Sequence, residues 1–165
     1  MRDRNRLLTL ASELQALVNE IETITRQGRE WLATRSSNPD IYDLRAAGSI
    51  LHDFYTALED GFELIAQVIN GGCPRGEDWH RRLLQSMALD VPGVRPPLLT
   101  RELVQELDEY LRFRHVFRNV YGHHLEWERI APLMQNLAQV SIRTCRAVER
   151  FGKFLTRLAG ELDES

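Results

Sequence analysis

The sequence predicts an all-α protein, an antiparallel four-helix bundle with an extra short helix and a proline-rich loop. Four long stretches place apolar residues alternately three and four positions apart, which is the spacing of helices packed in a bundle. No stretch alternates apolar and polar residues as a half-buried strand does. Proline clusters between the long stretches, where it interrupts no helix. Helices with short connections pack as antiparallel neighbours, so a bundle is the expected architecture.

The first helix is predicted from about Arg4 to Arg35. Its apolar positions follow the bundle spacing: Leu7, Leu10, Leu14, Leu17, Ile21, Ile24 and Trp31. Ser36 to Pro39 ends this helix. Asn38 is expected to cap the next helix, with Pro39 in its first turn.

The second helix is predicted from about Asp40 to Asn70. Its apolar stripe is Leu44, Ala47, Leu51, Phe54, Leu58, Phe62, Ile65 and Val68. A glycine pair followed by proline, Gly71 to Pro74, ends it. A shorter helix is predicted from Glu77 to about Leu89.

The chain between Pro74 and Pro97 holds four of the six prolines, so it is expected to be irregular apart from the short helix. The segment Val91 to Pro97 is interpreted as a loop over one end of the bundle. Thr100 is expected to cap the next helix, which would run to Gly122.

The last helix has the most regular register of all. Its apolar series is Ile130, Leu133, Leu137, Val140, Thr144, Ala147, Phe151, Phe154 and Leu158. Pro132 should lie near the beginning of this helix, where its missing N–H does least harm.

Composition excludes several classes of protein. A chain of 165 residues with 43% hydrophobic content fits a single domain, residues 1–165. A net charge of −3 argues against nucleic-acid binding through bulk positive potential. Cys73 and Cys145 form no metal-binding or disulfide pattern. No signal peptide or membrane span is recognisable, so we expect a soluble, cytoplasmic protein.

The stretch Arg112 to His124 is where the chain breaks its own pattern. On the predicted helix from Thr100, Arg114 and Arg118 fall inside the apolar arc or at its edge. An uncompensated guanidinium on a packing face costs several kcal/mol. Either a carboxylate of the second helix pairs with these cations or a water-filled seam accommodates them. Candidate carboxylates are those of Glu59, Asp60 and Glu63.

Arg118 and His123 are five residues apart, which leaves them about 140° apart on an unbroken helix. Gly122, just before His123, permits the chain to leave helical geometry and return His123 toward Arg118. A dimer seam is the second route, with Arg118 of one subunit facing His123 of the other.

This stretch resembles the HEPN domains, and within them the HepT-like toxins. Their signature is Arg, a polar residue, three further residues and His, which here reads Arg118-Asn119-Val120-Tyr121-Gly122-His123. Other phrases of the chain are also similar to a HepT-like subgroup: 51–55, 76–80, 112–115 and 125–129. The likeness extends from about Leu44 to Pro132.

The resemblance implies a HEPN-type bundle and a metal-independent ribonuclease toxin that acts as a homodimer without a cofactor. It also implies a nucleotidyltransferase antitoxin of the MntA type as partner. The catalytic residues would be Arg118, His123 and Asn119. A histidine can take or give a proton near neutral pH, and an arginine fork matches phosphate oxygens. Further residues are expected to hold the RNA backbone: Arg112, Arg114, His115 and His124.

The chain departs from the family pattern in two places. The best-understood toxins carry a tyrosine two residues after the histidine, and the antitoxin transfers AMP to it; here that position is Leu125. Tyr121 is a candidate substitute acceptor. His124 also satisfies the looser pattern, so the working ring is left open between His123 and His124.

Plainer readings accompany these expectations. His52, His80 and His115 are expected to be hydrogen-bonded bundle residues. Tyr121 and Trp127 are expected to pack rather than stack on bases. A metal site built from His115, His123 and His124 lacks the spacing that helical metal sites favour. The alternative function is a catalytically inactive HEPN module that binds a nucleotidyltransferase or RNA.

Overall fold

The computed structural model describes residues 2–119 and 125–162. It contains five helices: α1 Arg2–Thr34, α2 Ile41–Val68, α3 Trp79–Ser86, α4 Arg101–Asn119 and α5 Trp127–Glu161. The described residues form no strand, and one isolated bridge joins Val91 to Arg95. The all-α prediction is therefore confirmed. The predicted end of the fourth helix at Gly122 lies outside the described residues.

The four long helices form a ring of antiparallel neighbours. In this ring α1 lies between α5 and α2, while α4 lies between α2 and α5. The short helix α3 packs against α2 and α4. The predicted apolar stripes supply most of the buried core, with Leu10, Ile21, Leu51, Leu58 and Leu155 fully buried. Bundle spacing in the sequence therefore identifies the core faces correctly.

The start of α2 corrects one prediction, because its cap is Asp40 and not Asn38. The Asp40 carboxylate accepts hydrogen bonds from the backbone N–H groups of Tyr42 and Asp43, both at 2.9 Å. The Asp43 carboxylate accepts one from the Asp40 N–H at 3.0 Å. This reciprocal capping box satisfies free donors on both sides of the helix start, so the helix begins after Asp40. Pro39 consequently precedes the cap.

The other helix ends agree more closely with expectation. The Leu103 N–H donates to Thr100 Oγ1 at 3.1 Å, which confirms Thr100 as a cap. Pro132 lies in the second turn of α5, which begins three residues earlier than the apolar series suggested. Cys73 and Cys145 are free thiols. Among the described helices, none is long and apolar enough to cross a membrane.

The proline-rich loop is fastened to the end of α2 and α3 by Arg95, which is only 3% exposed. The Arg95 guanidinium donates to the Asn70 side-chain oxygen at 2.9 Å and to the carbonyl of Ser86 at 2.7 Å. It also donates to the carbonyls of Leu89 and Pro96. The loop predicted to lie over one end of the bundle is thus bound to it by a buried cation.

Candidate functional site

Arg114 lies in the middle of α4 and is buried, with 4% of its surface exposed. Its Nη2 donates to both carboxylate oxygens of Glu59 on α2, at 2.9 and 3.0 Å. Its guanidinium carbon lies 4.9 Å from the ring centre of Tyr55. The structure therefore corrects the RNA-binding role predicted for Arg114, because its charge is committed inside the protein. The alternative expectation, an ion pair with Glu59, is the one observed.

His80 of α3 completes this buried group. Its Nδ1 lies 2.9 Å from each oxygen of the Glu59 carboxylate and 3.1 Å from Nη2 of Arg114. The imidazole stacks on the Trp79 ring, with 3.7 Å between ring centres. We call Glu59, His80 and Arg114 the Glu59 cluster. It joins three helices through one carboxylate, and it confirms that His80 is a hydrogen-bonded residue.

The groups around the Glu59 cluster are perturbed by their burial. Burial and the nearby Glu59 charge raise the pKa of Tyr55 far above its ordinary value, and Arg114 offsets part of this. The Tyr55 hydroxyl is buried and has no hydrogen-bond partner among the described residues. Burial raises the pKa of Glu63, and the charges of Glu59 and Asp60 raise it further. Negative charge is therefore concentrated on this part of α2.

Arg118 lies one helical turn beyond Arg114 and is exposed in the last turn of α4. One turn advances the helix by about 6 Å and rotates it by about 40°, so both arginines leave α4 on similar sides. Within the described ranges, no carboxylate pairs with Arg118. Its guanidinium is therefore presented to solvent at the end of a helix.

Asn119 and His115 are exposed beside Arg118 and contact each other. The Asn119 side-chain amide donates to the His115 carbonyl at 2.9 Å, and the same nitrogen lies 3.5 Å from His115 Nε2. Both side chains share a solvent-facing side of α4 with Arg112. The structure thus brings three of the predicted RNA-contacting residues together near Arg118.

Arg112 is exposed but already carries acidic partners. Its Nε lies 2.8 Å from the Asp108 carboxylate, which also pairs with Arg81 of α3 at 3.2 Å. Glu109 lies 3.8 Å from Arg112 Nη1. A phosphate that approaches Arg112 must compete with these carboxylates, whereas at Arg118 the described residues present no such competitor.

His123, His124 and Tyr121 lie outside the described residues, so the meeting of Arg118 with His123 stays a prediction. Among the histidines that are described, His52 of α2 lies 5.8 Å from the Phe117 ring, centre to centre. The predicted packing role of Trp127 is confirmed, because its ring lies 5.6 Å from that of Trp31 and 4.5 Å below the Arg35 guanidinium. The parts of the chain that the structure describes hold no group of three metal-ligating side chains.

A groove of about 520 Å³ separates the C-terminal half of α4 from the first half of α5. Its apolar lining includes Phe113, Val116, Phe117, Leu125, Ile130 and Leu133. The Tyr110 hydroxyl donates to the Leu133 carbonyl at 2.9 Å and connects the two helices. Burial raises the pKa of Tyr110, so this hydroxyl keeps its proton at any physiological pH.

Sequence reasoning missed this groove and the role of Glu59 as a shared partner. The exposed apolar residues Val116 and Leu125 border the Arg112 to His124 stretch and were the available signal for the groove. For Glu59 the signal was a carboxylate next to Leu58 on the apolar stripe of α2. Pairing it with His80 needed the position of α3, which periodicity does not provide.

Comparison with known proteins adds one finding. No curated protein and no solved structure matches the chain. The model of the family described as HepT-like protein matches residues 46–155, well over half of the chain. These residues include α2, α3, α4 and most of α5. The chain therefore belongs to the HepT-like family of HEPN-type helical proteins.

Proposed function

We propose that this protein is a metal-independent endoribonuclease toxin that cleaves mRNA or tRNA in the cytoplasm. It would belong to a type II or type VII-like toxin–antitoxin system and be neutralised by a nucleotidyltransferase. Membership of the HepT-like family supports a ribonuclease of this kind. The observation that carries the proposal is the environment of Arg118, an exposed arginine that pairs with no described carboxylate. A solvent-facing guanidinium at this point suits a phosphodiester.

The roles of the residues follow from their chemistry. Arg118 would bind the phosphate and stabilise the charge that develops on it during cleavage. His123 would transfer protons, and Asn119 would position the phosphate or the ring. Arg112, His115 and His124 would contact the RNA backbone. Arg114 takes no part, because Glu59 already binds it.

We propose that a second copy of the chain covers the groove between α4 and α5. The groove contains the exposed apolar residue Val116, 46% exposed, close to Arg118 on the same helix. Its rim carries both signs of charge, Glu109 and Glu128 against Arg112 and Arg129. A two-fold related copy places the same patch on itself, so acidic groups of one subunit can meet basic groups of the other.

Substitution of Val116 by glutamate tests the dimer. A charge in the apolar groove should convert the dimer to a monomer in light scattering and lower RNA cleavage, while helix content stays unchanged. Ile142→Glu is the matched control, because Ile142 is an exposed apolar residue of α5 that does not line the groove. A Val116→Glu protein with the wild-type mass in solution would refute the groove as the interface.

The ribonuclease activity is tested with purified protein and labelled RNA in the presence of EDTA. We expect cleavage by the wild type, and a loss of about 10²–10³-fold in rate for Arg118→Ala. His123→Ala should cause a similar loss, and both variants should relieve toxicity in cells. Arg26→Ala is the matched control, since Arg26 is an exposed arginine on α1, a helix that no described residue of α4 contacts. Unchanged toxicity in both variants would refute the catalytic assignment.

The alternative is an inactive module that binds a nucleotidyltransferase, and Leu125 is the observation that favours it. Leu125 packs partly buried against the core and offers no hydroxyl for AMP transfer. Tyr121 remains the candidate acceptor. A purified protein that leaves RNA intact but forms a stable complex with the nucleotidyltransferase would support this alternative. Cleavage that the nucleotidyltransferase and ATP suppress, and that Tyr121→Phe makes resistant, would support the toxin.

A further inference from the structure

The contact between His80 and Glu59 has the geometry of an oriented acid–base pair. His80 Nδ1 lies 2.9 Å from both oxygens of a carboxylate that is only 4% exposed. The His80 side chain itself is 32% exposed. A buried carboxylate therefore holds one nitrogen of an imidazole whose remaining edge reaches solvent.

The proton on His80 can be assigned from its neighbours. A guanidinium only donates hydrogen bonds, so Arg114 and His80 both satisfy Glu59 when His80 Nδ1 carries a hydrogen and donates it to the carboxylate. In the neutral ring Nε2 then holds a lone pair. The carboxylate fixes this tautomer, as the aspartate of a serine-protease triad does for its histidine.

The free edge of the imidazole opens beside α4. Trp79 covers one face of the ring at 3.7 Å between centres, and the Glu59 cluster occupies the Nδ1 side. The exposed third of the side chain therefore includes the edge that carries Nε2. Arg114, which touches His80, lies one turn of α4 from Arg118, an advance of about 6 Å. His80 and Arg118 thus flank the same side of the helix end.

His52 and His115 lack this arrangement. The His52 ring lies 3.4 Å from the Asp53 carboxylate, and Asp53 is 58% exposed, so the pair is loose and solvated. His115 contacts the Asn119 amide. Of the described histidines, His80 is the one held by a buried carboxylate.

We infer that His80, oriented by Glu59, is an acid–base catalytic residue for the RNA bound at Arg118. This inference rests on the proposed ribonuclease function. His80 Nε2 takes the proton of the ribose 2′-hydroxyl, and the 2′-oxygen forms a bond to phosphorus. The bond from phosphorus to the 5′-oxygen breaks, and that oxygen takes a proton from a second acid, for which His123 is the candidate. The products are a 2′,3′-cyclic phosphate and a 5′-hydroxyl end, so atoms and charges balance.

The charged groups that face His80 decide how it titrates. Glu59 and Glu63 approach it from α2, and Arg114 approaches it from α4. Trp79, its neighbour on α3, carries no charge. After proton transfer the imidazolium is stabilised by Glu59, which makes Glu59 a positioning residue.

The test compares His80→Gln with His52→Gln and Arg118→Ala in steady-state cleavage of RNA, with EDTA, across pH 5 to 9. Glutamine can still donate to Glu59 but cannot take the proton. We expect His80→Gln to lower kcat by about 10²-fold or more, to change KM little and to remove the acidic limb of the pH profile. His52→Gln should stay within about 3-fold of the wild type.

The outcomes separate the two proposals. Full activity of His80→Gln beside an inactive Arg118→Ala would overturn the role of His80 and leave the ribonuclease intact. A wild type that never cleaves RNA would overturn both. Should His80→Gln not fold, ¹⁵N-histidine spectra of the wild type with a 2′-O-methyl oligonucleotide decide the question. A shift of the His80 Nε2 signal on binding supports the role, and an unchanged signal in the presence of bound oligonucleotide overturns it.

Discussion

Two successive turns of α4 carry the same residue type in opposite environments. Arg114 is 4% exposed and donates two hydrogen bonds to the Glu59 carboxylate. Arg118, one turn later, is exposed and pairs with no described carboxylate. The first turn faces α2 and α3, while the second lies where α4 ends. The comparison teaches that an arginine on an apolar arc becomes structural or available according to which carboxylate a neighbouring helix brings to it.

The largest difference should appear when each arginine is replaced by alanine. Arg114→Ala leaves the buried Glu59 charge with His80 alone, so we expect it to lower the free energy of unfolding by about 3 kcal/mol. Arg118→Ala removes an exposed side chain and should change it by less than about 0.5 kcal/mol. Urea unfolding followed by circular dichroism measures both values.

A double substitution sharpens this result. Combining Arg114→Met with Glu59→Met replaces the buried charges by apolar groups and should recover most of the lost stability. Equal stability of Arg114→Ala and Arg118→Ala would break the comparison, because the buried ion pair would then contribute nothing.

The next effect concerns how the end of α4 is held. A Cβ added at Gly48 would lie 2.6 Å from the Phe117 ring, so Gly48→Ala must displace the residue that precedes Arg118. We expect a loss of about 1–2 kcal/mol in unfolding free energy and a slower cleavage of RNA. Gly152→Ala is the matched control, since open space surrounds that position and alanine there should stabilise α5 by about 0.5–1 kcal/mol. Stabilisation by Gly48→Ala would show that Phe117 is not packed against α2.

The smallest effect comes from the surplus charge beside the Glu59 cluster. The pKa of Glu63 is raised, mainly by burial and then by Glu59, so the folded chain resists its ionisation. Ionised Glu63 therefore lowers stability as pH rises above about 4.3, its value in an unfolded chain, and has no such effect below it. Glu63→Gln should raise the unfolding free energy at pH 7 by less than about 0.5 kcal/mol and leave it unchanged at pH 3.5.

Glu59→Gln supplies the contrast at the same pH. It removes the counter-charge of Arg114 and should lower stability at pH 7, although both substitutions remove one carboxylate from α2. Thermal unfolding at both pH values measures the pair. A stabilising Glu59→Gln would mean that Arg114 gains nothing from its partner.

The helices and the core were predictable because their apolar spacing is a local property of the chain. Leu51, Leu58, Leu107 and Leu137 are buried where the spacing placed them. The cap of α2 was predicted two residues too early, because Asn38 and Asp40 are both good caps and only the reciprocal bonds with Asp43 distinguish them. The site was predictable as a stretch, since two arginines interrupt an apolar arc there.

The sequence by itself determined the helical class, the bundle register and the position of the Arg112 to His124 stretch, because these depend on spacing within one segment. The tertiary structure alone decided that Arg114 is neutralised while Arg118 is exposed, and that Glu59 holds His80 beside them. Those choices depend on contacts between residues 20 to 55 positions apart, which helical periodicity does not encode.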